Sequence, residues 1–143
     1  MQIIWECEKQ GLVHNVDNCQ GEIRALCNCC TCACAVLRTW QYGQRNAGAP
    51  SRYVVEFDPQ KCTLDGACVS VCPSGARKIE DGRMVVDPSV CVGCGLCVTT
   101  CPTSANRMVL REQPPQIPHT YLDLYGKIGR EALFGMVKRK LLG

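Results

Sequence analysis

The clearest local pattern in the chain is a set of short runs rich in β-branched apolar residues. These runs are "RYVVEF" (52–57), "RMVVD" (83–87) and "NRMVL" (106–110), and turn-forming residues bound them. Runs of this composition favour half-buried strands. Short helices are predicted at 66–72 and 95–101, between the strands. The pattern therefore predicts an α+β fold built from short strands and short helices.

Helical periodicity marks the two ends of the chain. Near the start, "IIWECEKQGLVH" predicts a short amphipathic helix, with Ile4, Cys7 and Leu12 near one face. Near the end, "YLDLYGKIGREALFGMVKRKLLG" predicts an amphipathic helix that begins at a capping pair, Thr120 and Asp123. The apolar residues at helical spacing in this second segment are Leu122, Tyr125, Ile128, Ala132, Leu133, Met136 and Val137.

The length of the chain limits how many domains it holds. With 143 residues, it has room for one compact domain plus extensions. We predict a Cys-rich N-terminal extension at 1–50, a central domain at 51–112, and a Pro-rich linker followed by a helix at 113–143. Within the extension, "LCNCCTCACAVLR" predicts a compact loop or helix start, and "GQRNAGAP" predicts a flexible connector.

Cysteine is the unusual residue in the composition, with 14 in the chain. The first residues lack the basic lead and long apolar run of a secretion signal, and no window approaches the roughly 18 apolar residues of a membrane span. We therefore expect a cytoplasmic, reducing location, where clustered cysteines bind metal or do redox work. The formal net charge of +3 is too small to predict nucleic-acid binding.

An internal repeat carries the main chemical signal. At an offset of 29 residues, "DPQKCTLDGACVSVCPSGA" (58–76) matches "DPSVCVGCGLCVTTCPTSA" (87–105) at about half its positions. The second copy reads Cys-x2-Cys-x2-Cys-x3-Cys-Pro from Cys91 to Pro102. A pair of zinc sites is the competing interpretation, but zinc does not explain a Cys-Pro end repeated at a fixed offset.

This cysteine series resembles that of bacterial-type dicluster ferredoxins, over about residues 53 to 110. The resemblance implies a pseudo-symmetric domain with two [4Fe–4S] clusters, whose halves exchange their fourth ligands. One cluster is then held by Cys72, Cys91, Cys94 and Cys97, and the other by Cys62, Asp65, Cys68 and Cys101. Gly93 and Gly95 would let backbone N–H groups approach the cluster sulfurs and tune the reduction potential.

Asp65 is the one departure from this ligand pattern, because the repeat predicts cysteine at that position. Some single-cluster ferredoxins are similar, with aspartate as a native ligand. A carboxylate is a harder donor than a thiolate and holds iron less firmly. Three outcomes remain open: a [4Fe–4S] cluster with Asp65 bound, which we favour under reducing conditions; a [3Fe–4S] cluster beside a solvated Asp65; or a site open to an outside ligand.

Seven cysteines are not needed for these two clusters, and five of them lie in "CNCCTCAC" (27–34). The order of "GLVH", this cysteine block and two cluster motifs is similar to larger prokaryotic iron–sulfur proteins that carry "CNCCxCCC", although Ala33 replaces one cysteine. We favour a third iron–sulfur site, because neighbouring thiols cannot all reach one tetrahedral ion. Its candidate ligands are Cys19, Cys27, Cys29, Cys30, Cys32 and Cys34.

Other interpretations of the cysteine block also stand. A redox-active thiol or disulfide site is one, and storage of zinc or copper(I) by soft thiolates is another. Inert packing is a third. His14 is predicted to be a surface or helix-end residue rather than a ligand.

The C-terminal helix has three candidate roles. Residues 127–143 hold five basic residues and one acidic residue, so their formal charge is +4. The helix could pack on its own domain or dock on a partner subunit. A membrane-surface contact, suggested by Lys138, Arg139 and Lys140, is the least favoured.

These features predict an iron–sulfur electron-transfer protein, a ferredoxin-like subunit that passes single electrons within an anaerobic oxidoreductase complex. The chain has no Gly-rich dinucleotide motif, so a flavin or nicotinamide would come from a redox partner. We expect no enzyme activity from the chain alone. The alternative is an enzyme subunit whose unusual cluster, at Asp65 or at the cysteine block, binds substrate.

Overall fold

A computed structural model describes residues 2–21, 23–42 and 51–142, with side chains as far as 131. The predicted connector "GQRNAGAP", at 43–50, lies outside the described residues. In the N-terminal part, helix α1 spans Gln2–Lys9 and strand β1 spans Val13–Val16. Strand β2 spans Leu26–Cys29 and pairs with β1, and helix α2 spans Ala35–Gln41.

The first helix is shorter than its periodicity predicts, because a glycine ends it. Gly11 has φ +73, and its N–H donates to the Glu8 carbonyl at 2.9 Å. The Leu12 N–H donates to the Cys7 carbonyl at 3.0 Å, which completes a Schellman motif. His14 therefore lies in β1, half-buried, with Nδ1 2.7 Å from Asn28 Oδ1, and the prediction of a surface or helix-end position is wrong.

The central region contains two antiparallel strand pairs. Strand β3, Tyr53–Phe57, pairs with strand β6, Asn106–Leu110, so that the two ends of the region are joined. Strand β4, Arg77–Glu80, pairs with β5, Arg83–Val86. The predicted strands at 52–57, 83–87 and 106–110 are confirmed as β3, β5 and β6, with ends shifted by a residue or less. Strands β1, β2 and β4 have no counterpart in the predicted elements.

Each repeat copy contains one helix of a single turn, which begins at the middle of the copy. Helix α3 spans Ala67–Ser70 and helix α4 spans Leu96–Thr99, each within its predicted range. Each begins after a glycine with positive φ, Gly66 at +76 and Gly95 at +85. The two copies of the repeat therefore use the same local conformation, and both helices carry a cysteine in their second position.

Two small apolar clusters lie in this part of the molecule. One contains Val13, Leu37, Trp40 and Leu96, with Cys94 packed against it. The other contains Val55, Cys68 and Cys97. Two of the three buried members of the second cluster are thus predicted metal ligands.

The chain divides into two compact units that differ from the predicted segments. The first contains 1–15 and 27–115, because Leu37 and Trp40 of the N-terminal extension pack with Leu96. The second contains 16–26 and 116–143.

The second unit is built on helix α5, which spans Tyr121–Leu142 and confirms the predicted C-terminal helix. The predicted capping pair is also confirmed. The Asp123 N–H donates to Thr120 Oγ1 at 3.2 Å, and the Thr120 N–H and hydroxyl donate to Asp123 Oδ2 at 3.2 and 2.8 Å. The Gln20 N–H and side chain donate to the Pro118 and Ile117 carbonyls, both at 2.8 Å.

None of the helices in the described ranges is both long enough and apolar enough to cross a membrane.

Candidate metal centres

A cavity in the first unit brings together the four donors predicted for one cluster. The space among its lining atoms, counted together with its opening to solvent, is about 360 Å³. Its cysteines are Cys72, Cys91, Cys94 and Cys97. Three of them come from the second repeat copy, and Cys72 comes from the first.

A second cavity brings together the other predicted donor set. The space among its lining atoms, counted together with its opening to solvent, is about 270 Å³. Its predicted donors are Cys62, Asp65, Cys68 and Cys101. Here three donors come from the first copy, and Cys101 comes from the second. Each cavity is therefore lined by three predicted donors from one repeat copy and one from the other.

Burial disfavours the thiolate form of two cysteines in the first cavity, Cys94 and Cys97. It raises the pKa of Cys94 to about 12 and also raises that of Cys97. Iron binds the thiolate form, so metal binding at Cys94 must release a proton. Gly93, the preceding residue, has φ +72, and a Cβ there would lie 2.1 Å from the Tyr53 carbonyl oxygen. Only glycine lets this loop approach β3.

Asp65 lies at an exposed edge of the second cavity. Its Oδ1 accepts the Ala67 N–H at 2.8 Å, and its Oδ2 accepts the Thr63 hydroxyl at 2.8 Å. These hydrogen bonds, first that from Ala67, lower the pKa of the carboxyl group. The side chain is therefore held as a carboxylate, with lone pairs left on both oxygens.

Hydroxyl groups contact the exchanged cysteine in both copies. The Ser74 oxygen lies 3.8 Å from Cys72 Sγ, and the Thr103 oxygen lies 3.6 Å from Cys101 Sγ. The Ala105 N–H also donates to Cys101 Sγ at 3.3 Å. Burial raises the pKa of Cys101, but the Thr103 hydroxyl and the Ala105 N–H outweigh it and leave the pKa below its usual value.

Two buried polar residues follow the repeat and were not predicted as functional. Arg77 and Asn106 are 3% and 4% exposed and occupy equivalent positions, directly after the last matched residue of each copy. Arg77 Nη1 donates a long hydrogen bond of 4.0 Å to Cys68 Sγ. Asn106 Nδ2 donates to the Cys97 carbonyl at 2.9 Å. The signal in the sequence is that these two residues follow the two 19-residue copies at the same offset of 29, although the residues themselves are not identical.

The residues around the two cavities fit anionic iron–sulfur clusters. Cysteine thiolates are the usual ligands of such clusters. Arg77 also lines the first cavity, and its buried Nη2 has no hydrogen-bond partner. A buried guanidinium without a partner is costly, and a negatively charged group in the cavity would satisfy it. Within the described ranges, no three His, Cys, Asp or Glu side chains converge as they would on one metal ion.

The cysteine block, residues 27–34, lies in the same unit as the two cavities. Cys30 and Cys32 form a disulfide. Cys29 and Cys34 pack on the apolar cluster that also contacts Cys94. The Leu37 N–H lowers the pKa of Cys34, which precedes α2. Cys27 is exposed, and Cys19 is buried within the second unit.

Comparison with known proteins agrees with this chemistry. Residues 54–102, about a third of the chain, match the family model of the 4Fe-4S dicluster domain. A stretch of 33 residues is 46% identical to Ferredoxin-3 of Desulfocurvibacter africanus. That match covers 23% of this chain and 54% of the ferredoxin, so the chain spans about half the length of this curated relative.

The match and the two cysteine-lined cavities indicate that residues 54–102 are similar to a ferredoxin-type 4Fe–4S domain.

Proposed function

We propose that this chain binds two [4Fe–4S] clusters and serves as the electron-transfer subunit of an anaerobic oxidoreductase. The main support for this proposal is that each of two separate cavities is lined by four predicted donors. In each cavity, the fourth donor comes from the other repeat copy. Cys72, Cys91, Cys94 and Cys97 would hold one cluster. Cys62, Asp65, Cys68 and Cys101 would hold the other.

When bound, such clusters accept and donate one electron at a time. The residues of this chain provide the environment. Val55, Leu96 and Val92 keep water from the first cavity, which favours a small change in solvation when the charge changes. The Ser74 and Thr103 hydroxyls and the Ala105 N–H are placed to donate to ligand sulfurs, which stabilises the more negative, reduced state.

Asp65 is the proposed fourth ligand of the second cluster. Support comes from its ionised carboxylate at the cavity edge. Because the side chain is exposed, this iron would also be the more easily lost, leaving a [3Fe–4S] cluster. The same exposure favours a second candidate function, in which an outside ligand replaces Asp65 and the chain is part of an enzyme's substrate site.

The cysteine block is proposed as a third redox centre. A third iron–sulfur cluster would need the Cys30–Cys32 disulfide to be reduced first, because a disulfide sulfur is not a thiolate ligand. The disulfide itself favours the thiol-based alternative. In that form, two electrons and two protons would convert the disulfide into two thiols.

A role as a subunit rests on what surrounds the ferredoxin-type domain. Leu122, Tyr125 and Ile128 lie on α5 at 84%, 65% and 51% exposure. An apolar row of this kind suits a helix that docks on a partner subunit. The compartment we propose is the cytoplasm, where the thiols would stay reduced.

The deciding experiment is to measure iron and acid-labile sulfide per chain after anaerobic purification. About eight irons with equal sulfide is expected from two [4Fe–4S] clusters. About twelve would add a third cluster in the cysteine block, and about seven would mean that Asp65 does not hold its iron. Zinc or copper with little sulfide would contradict the proposal.

Matched variants assign the result to particular residues. Cys94→Ser should remove about four irons, whereas Cys7→Ser should remove none, because Cys7 lines neither cavity. Asp65→Cys should make the second cluster resistant to air. EPR spectra recorded with and without small anions or thiols test the second candidate function. A ligand-dependent change that Asp65→Cys abolishes would favour that function over pure electron transfer.

A further inference from the structure

Arg77 is the buried charged residue nearest to both cavities. It is 3% exposed, lines the first cavity and donates through Nη1 to Cys68 Sγ, a residue of the second cavity. Its guanidinium lies 5.9 Å from the ring of Phe57, which also lines the second cavity. One positive charge is thus shared between two sites.

Within the part of the chain that the structure describes, no ion pair between Arg77 and a carboxylate is found. The pairs Lys61–Asp58 and Arg107–Glu56 do not include it. Nη2 is buried without a partner. A guanidinium stays charged at any pH a protein tolerates, so the charge must be balanced by something in the cavities.

The repeat supplies an internal comparison. The equivalent residue, Asn106, is also buried, but it is neutral and bonds to a backbone carbonyl rather than to sulfur. A positive charge is therefore not what this position needs in order to fold. Its presence in one copy alone points to a role for the charge itself.

We propose that Arg77 is the shared counter-charge of the two clusters, and that it raises the reduction potential of both. This inference rests on the proposed function. Each cluster gains one negative charge on reduction, and a buried cation nearby stabilises that charge more than solvent-exposed lysines do.

The test uses the full chain with its clusters bound and measures both reduction potentials by EPR-monitored titration. Arg77→Gln removes the charge and keeps an N–H donor. Lys78→Gln removes the same charge from the next residue, which is exposed. We expect Arg77→Gln to make reduction of both clusters at least tenfold less favourable, which is about 59 mV for a one-electron couple. Lys78→Gln should shift them by less than twofold.

Arg77→Lys separates charge from shape. It should bind the wild-type amounts of iron and sulfide and keep both potentials within twofold of the wild-type equilibrium. If Arg77→Gln loses its clusters while Arg77→Lys keeps them, the charge is needed for binding and the inference is supported. If both variants lose their clusters, the guanidinium shape is what matters and the inference is wrong.

Two further results would distinguish failure of the counter-charge role from failure of the proposed function. Potentials in Arg77→Gln equal to those of Lys78→Gln would end the counter-charge role and leave the proposed function intact. A wild-type chain with no iron and no sulfide would end the proposed function itself.

Discussion

Gly93 sets the distance between the loop of the second repeat copy and strand β3. Its φ of +72 is unfavourable for other residues, and a Cβ would lie 2.1 Å from the backbone oxygen of Tyr53. Moving this backbone oxygen away would disturb the pairing of β3 with β6. This contact fixes the position of the neighbouring residue, Cys94, a proposed ligand.

We expect Gly93→Ala to destabilise the cluster-bound protein strongly. The left-handed conformation alone costs an alanine about 1–2 kcal/mol, and the clash with β3 adds to it. Thermal unfolding followed by cluster absorbance under anaerobic conditions should show the loss. Gly82→Ala is the matched control, because Gly82 has φ +69 but nothing within 4 Å of its Cβ position. Equal shifts for the two variants would mean that the contact with β3 is unimportant.

At the scale of elements, the sequence predicts those whose signal is local. The β-branched runs became β3, β5 and β6, and α5 begins at its predicted cap. Strand β4 was missed because "RKIE" is mostly polar and is a strand through its pairing with β5. The predicted first helix is too long, because the helical period of apolar residues continues past Gly11, where the backbone turns.

The capping pair at the start of α5 offers a quantitative test. Thr120→Ala removes the side-chain oxygen that accepts the Asp123 N–H, and about 1 kcal/mol of helix stability should be lost. Amide hydrogen exchange in the first turn of α5 is the measurement, and exchange there should accelerate about fivefold. Thr120→Ser keeps the oxygen and should exchange like wild type. If serine and alanine behave alike, the cap does not stabilise the helix.

At the scale of the whole molecule, the site was more predictable than the fold around it. Cysteine spacing is read directly from sequence, so both donor sets could be proposed and both line cavities. The roles of Arg77 and Asn106 could not be predicted from the sequence, because their burial depends on how β4 and β6 pack. The disulfide between Cys30 and Cys32 was likewise one alternative among several.

Metal removal should unfold the ferredoxin-type domain. In the apolar cluster around Val55, the other buried members are Cys68 and Cys97, both proposed ligands. Without metal, this core would enclose empty space, and little apolar area would remain to offset chain entropy. Far-UV circular dichroism after chelation under reductant should show loss of most ordered structure, and iron with sulfide should restore it. A metal-free chain that still unfolds cooperatively would refute this expectation.

The exchange of donors between the two repeat copies has a consequence for biosynthesis. Because Cys101 lines the cavity of the first copy, that cavity lacks its fourth donor until nearly the whole domain has been synthesised. Cys72 is synthesised earlier than the three other cysteines of its cavity, Cys91, Cys94 and Cys97. Neither repeat copy has four donors of its own, so neither centre could assemble before the second copy has been made. A chain that ended between Cys97 and Cys101 would keep one complete donor set and would lack one donor of the other, so the two centres would become competent in a fixed order.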